Sequence, residues 1–169
     1  ITGLGAITPI GNDVNTYWQN LLAGKSGAAP ITHFDTTNHK TKFACEVKDF
    51  DPLQYFEKQE AKRMDLYTQF ALTAADECVK NSGIDFTKCD VNRIGVIIAS
   101  GIGGIGTFEE EVSSFAQGGG NPRFSPFFIT KMIANMATGL ISIKSGLHGV
   151  TYTTVSACAS SNNAICNAL

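Results

Sequence analysis

The chain has 169 residues, 43% of them hydrophobic and 17% charged, with 17 glycines and a formal net charge of −2. That composition fits a folded α/β protein and excludes an intrinsically disordered one. The slightly acidic balance argues against non-specific binding to nucleic acid or a membrane surface, and no apolar run approaches the roughly 20 residues that span a bilayer.

The opening ITGLGAITPIG has neither a basic n-region nor a long apolar h-region, so no signal peptide is expected. The cysteines stand at Cys45, Cys78, Cys89, Cys158 and Cys166, an odd count with no CxxC and no zinc spacing. This reads as a reduced, cytoplasmic inventory. His33, His39 and His148 are scattered, so no metal site is expected. Both ends read as cut: Ile1-Thr2 looks like the last residues of a strand, and Leu169 falls inside an apolar helix pattern without a capping glycine.

In chain order, Asn12-Asp13 signals a helix N-cap for Val14 to Ala23, which Gly24 closes. Trp18, Leu21 and Leu22 are expected to form its buried stripe. A loop-rich stretch follows through Asn38, then a short strand at 43–47, and Asp51-Pro52 has the pattern of a cap with proline at the first helical position. Leu66, Phe70, Ala74 and Cys78 recur every fourth residue and predict a helical core stripe ending before Gly83. Ile94 to Ala99 is the strongest strand, its continuous apolar run suiting a strand buried on both faces. The turn SGIGGIG leads to a helix over Thr107 to about Gln117, broken by Gly118, Gly119 and Gly120. A further helical stretch starts at Ser125-Pro126 and runs from Phe127 through Met136 toward Lys144. Strands alternating with helices predict βαβ units and a mostly parallel, covered sheet.

The stretch from Thr151 to Leu169 carries the strongest chemical signal. A β-branched run, Tyr152 to Val155, meets a small-residue helix, Ala159 to Leu169, with Cys158 at the junction. A cysteine there faces the positive end of the helix dipole, which favours thiolate. The first-turn N–H groups have no intrahelical partner and can receive a developing oxyanion. The competing reading is a buried structural cysteine.

Other candidates are weaker. Gly101, Gly103 and Gly106 match GxGxxG between a strand and a helix, but the acid required roughly 20 residues on is missing. Those glycines read better as a close backbone turn beside another site, with Ile102 projecting into it. Of the adjacent Phe127 and Phe128, one is expected in the core and the other facing elsewhere. Lys58, Lys62 and Arg63, with Arg123 distant in sequence, read either as a solvated surface interleaved with Glu57 and Glu60 or as an encounter patch for an acidic protein. His148, ten residues before Cys158, would stand roughly 20–30 Å from it along an extended chain, so no local Cys-His pair is expected.

Taken in order, these motifs resemble the β-ketoacyl-acyl-carrier-protein synthases of the elongating type, within the thiolase superfamily. The resemblance runs through Thr2-Gly3-Leu4-Gly5, Thr8-Pro9-Ile10-Gly11, Leu22-Ala23-Gly24-Lys25-Ser26-Gly27, Phe34-Asp35 and Arg93-Ile94-Gly95. It continues through Ser100-Gly101-Ile102-Gly103-Gly104, Ser125-Pro126-Phe127-Phe128, Asn135-Met136 and Val155-Ser156-Ala157-Cys158-Ala159-Ser160-Ser161.

The resemblance implies an α/β, thiolase-like layered fold, α/β/α with a mostly parallel mixed sheet. Residues 1–169 would be the N-terminal half of that duplicated architecture, in a homodimer. It implies decarboxylative condensation of malonyl-acyl-carrier protein with an acyl chain held on Cys158, in fatty-acid elongation and without a cofactor. Ile102 would gate the acyl pocket and Phe128 would line it, while Lys62, Arg63 and Arg123 would meet the acidic carrier protein. Two histidines, a lysine and a second oxyanion donor are expected outside this chain. A polyketide-type ketosynthase shares the motifs, and a non-catalytic carrier-binding or dimerisation fragment is the alternative from a different class. Thr130 and Val150 stand where the family usually has proline.

Overall fold

The computed structural model describes residues 1–121 and 123–169. In chain order they form α1 (Val14–Leu22), β1 (Ala29–Pro30), β2 (Phe43–Ala44), α2 (Lys58–Lys62), α3 (Leu66–Ser82), β3 (Val96–Ala99), α4 (Ile105–Gln117), α5 (Phe128–Met132), α6 (Met136–Ser145), β4 (Thr151–Thr154) and α7 (Ser160–Ala168). Contacts divide the chain into two compact units, residues 1–51 with 73–84 and residues 52–72 with 85–169, so α3 contributes to both. No helix among the described residues is long and apolar enough to cross a membrane.

In the first unit, α1 starts where the Asp13 carboxylate accepts the Thr16 N–H at 2.8 Å and the Thr16 hydroxyl at 2.6 Å. Those bonds, the hydroxyl's foremost, hold the Asp13 carboxyl below its ordinary pKa. Glu77 ties the opening segment to α1, its two oxygens accepting the N–H groups of Ala6 and Val14 at 2.9 Å each. Leu4 N–H donates to Asn81 Oδ1 at 3.0 Å. The expected strand at Ile1-Thr2 is absent: the segment pairs with helix side chains, and no strand lies beside it among the described residues.

The strand expected over 43–47 is reduced to Phe43–Ala44, antiparallel to Ala29–Pro30. Past Pro30 one further bond, from Ile31 N–H to Lys42 O at 3.1 Å, continues the pairing. The Asp51-Pro52 signal produces a single 3-10 turn, Pro52–Gln54. The expected burial of Trp18, Leu21 and Leu22 is also overturned, since all three are exposed. Periodicity places them together on α1, but no element of the described chain covers that face.

The second unit is built on β3 and β4, which pair in parallel with Val96 opposite Thr151 and Ala99 opposite Thr154. At their entrance Gly149 N–H donates to Ile94 O at 2.9 Å and Val96 N–H to Val150 O at 3.1 Å. A methyl group on Gly95 would collide with the Val150 carbonyl, and one on Gly149 would come within 2.6 Å of the Ile94 carbonyl. Glycine at both positions lets the backbones approach closely enough to pair. Thr153 bonds by its hydroxyl to Thr138 of α6, whereas the Thr154 hydroxyl donates to Ser160 O of α7 at 3.0 Å. Neighbouring strand residues point to opposite faces, so α6 and α7 cover the two sides of the sheet. The run expected from Ile94 is a strand only from Val96, and Val96 alone in it is buried. A two-stranded sheet shields its flanking residues incompletely.

Two helices depart from the periodicity. On α3 the buried residues are Thr68, Gln69, Leu72 and Thr73, while Leu66 is exposed and Phe70, Ala74 and Cys78 are half-buried. The buried Gln69 donates from Nε2 to Ala61 O at 3.0 Å and Met64 O at 3.3 Å, while its Oε1 has no partner among the described residues. Leu72, 2% exposed, contributes about 2 kcal/mol of burial on that face. The stretch expected to be one helix from Phe127 breaks into α5 and α6, because Ile133 is extended, at φ −71° and ψ 137°. The half-buried Tyr67 hydroxyl donates to Ile133 O at 2.5 Å and pins the break. Burial also raises the Tyr67 pKa, keeping the phenol a donor.

Gly95→Ala is expected to cost about 1–3 kcal/mol through overpacking at the strand entrance, read as a lower midpoint in thermal or denaturant unfolding. An unchanged midpoint would show that the close approach is not required.

Candidate active site

Cys158 lies four residues beyond the end of β4, in the 3-10 turn Ala157–Ala159, and is exposed. Ser156 has φ −147° and ψ 45°, and Ala157 has φ +50°. A left-handed alanine costs roughly 1–2 kcal/mol, so the corner persists only if its surroundings hold it. The surrounding hydrogen bonds are specific. Ser160 Oγ, on a residue 3% exposed, accepts Ser156 N–H at 2.8 Å and donates to Ala157 O at 2.7 Å. Ala159 N–H donates to Ser156 O at 3.1 Å, and Asn163 Nδ2 donates to Ser156 Oγ at 2.6 Å. The Cys158 N–H has no acceptor among the described residues. The sequence pattern located this corner, but the roles of Ser160 and Asn163 were not read from it. Their only signal was a serine four residues after Ser156 and an amide one helical turn further on.

The parallel register brings a second loop to the same end of the sheet. Ser100 N–H donates to Thr154 O at 3.3 Å, so the chain leaves β3 beside the chain leaving β4. Ile102, 67% exposed, stands on that loop. Gly103 has φ +82°, and its N–H donates to Ser100 Oγ at 2.9 Å; Gly104 N–H donates to Met132 O at 2.9 Å. These amides are engaged within the protein, which fits the close-turn reading of the glycines better than a phosphate cradle. Asp65 braces the loop from the far side: one oxygen accepts the Thr107 hydroxyl at 2.6 Å, the other Tyr67 N–H at 3.1 Å.

The glycine loop rests on α5, whose first residue is Phe128. Phe128 stacks on Phe108 and Phe124 with centroids 6.2 and 5.5 Å away, and Phe124 stacks on Phe115 at 5.2 Å. Each such pair adds about 0.5–1.5 kcal/mol beyond burial. Phe108 and Phe115, one heptad apart on α4, were not singled out from the sequence. Phe127 faces elsewhere, beneath the Arg63 guanidinium at 5.2 Å, so the adjacent phenylalanines point apart as expected, but the one expected in the core, Phe128, is only half-buried. Thr130, despite replacing the usual proline, continues α5 with its hydroxyl on Phe127 O at 3.0 Å. Val150 is exposed, and its carbonyl receives Val96 N–H.

Lys62 and Arg63 are exposed at the end of α2, and Arg123, also exposed, precedes Phe124 of the aromatic stack. None of the three forms an ion pair among the described residues. Arg63 also stands at a cavity of about 640 Å³ floored by Met64, Leu72, Leu140 and Ile143. His148 is exposed before β4, at the opposite end of the strand from Cys158, with roughly 13 Å of strand between them. The structure thus brings Cys158 and Ile102 to one end of the sheet, sets the Ile102 loop on α5, whose first residue is Phe128, and within the same unit leaves His148 at the other end of the strand from the thiol.

The whole chain, residues 1–169, matches the family model for the beta-ketoacyl synthase N-terminal domain. It belongs to that family. Over 165 residues the ketoacyl-synthase chain is 44% identical to 3-oxoacyl-[acyl-carrier-protein] synthase 2 of Synechocystis sp., a match covering 98% of this chain and 39% of the relative. It is 46% identical to the enzyme of the same name from Staphylococcus aureus, covering 98% and 41%. The chain therefore spans about two fifths of the length of these relatives.

Among solved structures, the ishigamide ketosynthase/chain length factor superposes with a TM-score of 0.78 at 26% identity, covering 92% of this chain and 39% of that one. A type II polyketide synthase acyl-carrier protein in complex with its ketosynthase gives 0.77 at 25% identity, covering 98% and 43%. The fold is the thiolase-like α/β fold of the ketosynthases.

Gly103→Ala in this ketoacyl-synthase chain is expected to cost about 1–3 kcal/mol, because it adds a left-handed alanine and a collision with Met132 O. Gly101→Ala, with nothing within 4 Å of the added methyl, is expected to stay within about 0.5 kcal/mol. Equal unfolding midpoints for the two variants would contradict the packing of this loop.

Proposed function

We propose that the protein containing this chain is a cytoplasmic condensing acyltransferase of fatty-acid elongation, with Cys158 as its nucleophile. The reading is carried by one observation: an exposed thiol at a strained strand-to-helix corner, its own N–H without an acceptor among the described residues, in a chain 44% identical to a 3-oxoacyl-[acyl-carrier-protein] synthase 2. The Cys158 thiolate attacks the carbonyl of an acyl chain carried as a thioester on acyl-carrier protein. A carbon–sulfur bond forms, the displaced electron pair rests on oxygen facing the Cys158 N–H, and collapse expels the carrier thiolate. Malonyl-carrier protein then loses carbon dioxide, and the resulting carbanion attacks the Cys158 thioester, extending the chain by two carbons and freeing the thiol. The groups that promote decarboxylation belong to the part of the protein outside this chain, of which residues 1–169 are the N-terminal half.

Ile102 and Phe128 frame the acyl pocket in this reading. Lys62, Arg63 and Arg123, which form no ion pair among the described residues, meet the acidic carrier, and the enzyme works as a homodimer. The type II polyketide ketosynthase complex matches at 25% identity, well below the 44% of a 3-oxoacyl-[acyl-carrier-protein] synthase 2, which favours elongation of fatty acids.

Incubation of the full-length protein with acyl-carrier protein is expected to add one acyl mass, absent in Cys158→Ala, by intact mass spectrometry. Equal labelling of both proteins would sink the assignment. Lys62→Glu and Arg63→Glu are expected to weaken carrier binding several-fold in low salt, with the difference shrinking as salt rises. An unchanged dissociation constant for both variants would return these residues to the solvated surface.

A further inference from the structure

The hydroxyl of Ser160 stands in an unusual place for a serine that carries no chemistry of its own. It is buried, it lies two residues beyond the exposed thiol, and it bonds to both residues that precede Cys158. One of those bonds goes to the Ala157 carbonyl. That carbonyl shares a peptide plane with the Cys158 N–H, and in a trans peptide the two point in opposite directions. Ser160 N–H closes the 3-10 turn on the same oxygen. Fixing the carbonyl toward α7 therefore aims the Cys158 N–H away from the helix, where the oxygen of an attacked carbonyl would sit. The second bond, from Ser156 N–H, holds the other side of the left-handed alanine. Asn163 reinforces it by donating to Ser156 Oγ, and Thr154 anchors Ser160 through its backbone oxygen.

We propose that Ser160 is a positioning residue for acyl transfer: its buried hydroxyl locks the Ala157–Cys158 peptide so that the Cys158 N–H is presented to the oxyanion. This rests on the nucleophile reading of Cys158. The role concerns the tetrahedral intermediate and not the formation of thiolate, and that distinction makes it testable. Acylation forms a carbon–sulfur bond while charge develops on the carbonyl oxygen, so it needs the aimed N–H. Alkylation by iodoacetamide forms a carbon–sulfur bond by displacing iodide and develops no oxyanion.

The test compares both reactions in the full-length protein for wild type, Ser160→Ala, Ser160→Thr, Asn163→Ala and Cys158→Ala. Ser160→Ala is expected to slow acyl transfer from acyl-carrier protein by roughly 10- to 100-fold. Alkylation of Cys158 should change by less than about threefold, since the thiol itself is untouched. Ser160→Thr, which keeps the hydroxyl, is expected to recover most of the acylation rate. Asn163 is exposed, so Asn163→Ala tests the same network without a core substitution and is expected to slow acylation several-fold with alkylation unchanged. Equal slowing of acylation and alkylation, or wild-type acylation in both alanine variants, overturns the proposal. Acylation persisting in Cys158→Ala is a separate failure, because it removes the nucleophile reading on which the proposal stands.

Discussion

Four residue pairs, Val96 to Ala99 against Thr151 to Thr154, form the parallel ladder on which the candidate site depends. A parallel pair sends both chains out at the same end of the sheet, and here one carries Ile102 and the other Cys158. An antiparallel pairing of the same segments would have put them at opposite ends. The ladder also decides which helix meets which face, since Thr153 engages α6 and Thr154 engages α7. Helix α7 is consequently delivered against the sheet with Ser160 buried at its start, and the corner inherits a rigid base. The requirement at the other end is small: glycine at 95 and 149, so that the backbones can come together.

Much of this was legible because it rests on local chemistry. Asp13 caps α1 through Thr16, Gly103 adopts the left-handed turn, and the strand, cysteine and helix follow one another within a residue of their expected bounds. What was not legible depends on partners distant in sequence. The four-residue repeat on α3 identifies a face, but Gln69 finds carbonyls at Ala61 and Met64, so a different face is buried. The break before α6 depends on Tyr67, 66 positions from the carbonyl it bonds. No periodicity within 127–144 could have announced it. Trp18, Leu21 and Leu22 illustrate the same limit from the other side: a pattern tells which residues share a face, not what lies opposite.

The loop of Ile102 and the aromatic stack of Phe128 are mechanically one assembly. Gly103 and Gly104 sit on the backbone of residues 131–134, directly after the turn that holds Phe128, and Asp65 ties the start of α4 to the start of α3. A displacement of α5 would therefore move the loop, Phe128 and the Arg63–Phe127 contact together. The same short helix presents Phe128 to a ring stack and Phe127 to a guanidinium, as two adjacent helical residues must face different ways.

The corner at Cys158 combines exposure with constraint, and the two requirements conflict. In the proposed acyl transfer, a thiol open to a large acyl donor cannot be braced by contacts of its own, because any group packed on it would block the approach. The constraint must come from behind, through residues that never touch the reacting atoms. Ser160 meets that need with one buried oxygen bonded on both sides of the left-handed alanine, while the outward faces of Ala157 and Ala159 remain small. An alanine at φ +50° is unfavourable by itself, so its persistence measures how strongly the hidden side is held. The strain and the buried hydroxyl are therefore two aspects of one device. The hydroxyl fixes the peptide plane, and the strained backbone lifts the thiol clear of the turn.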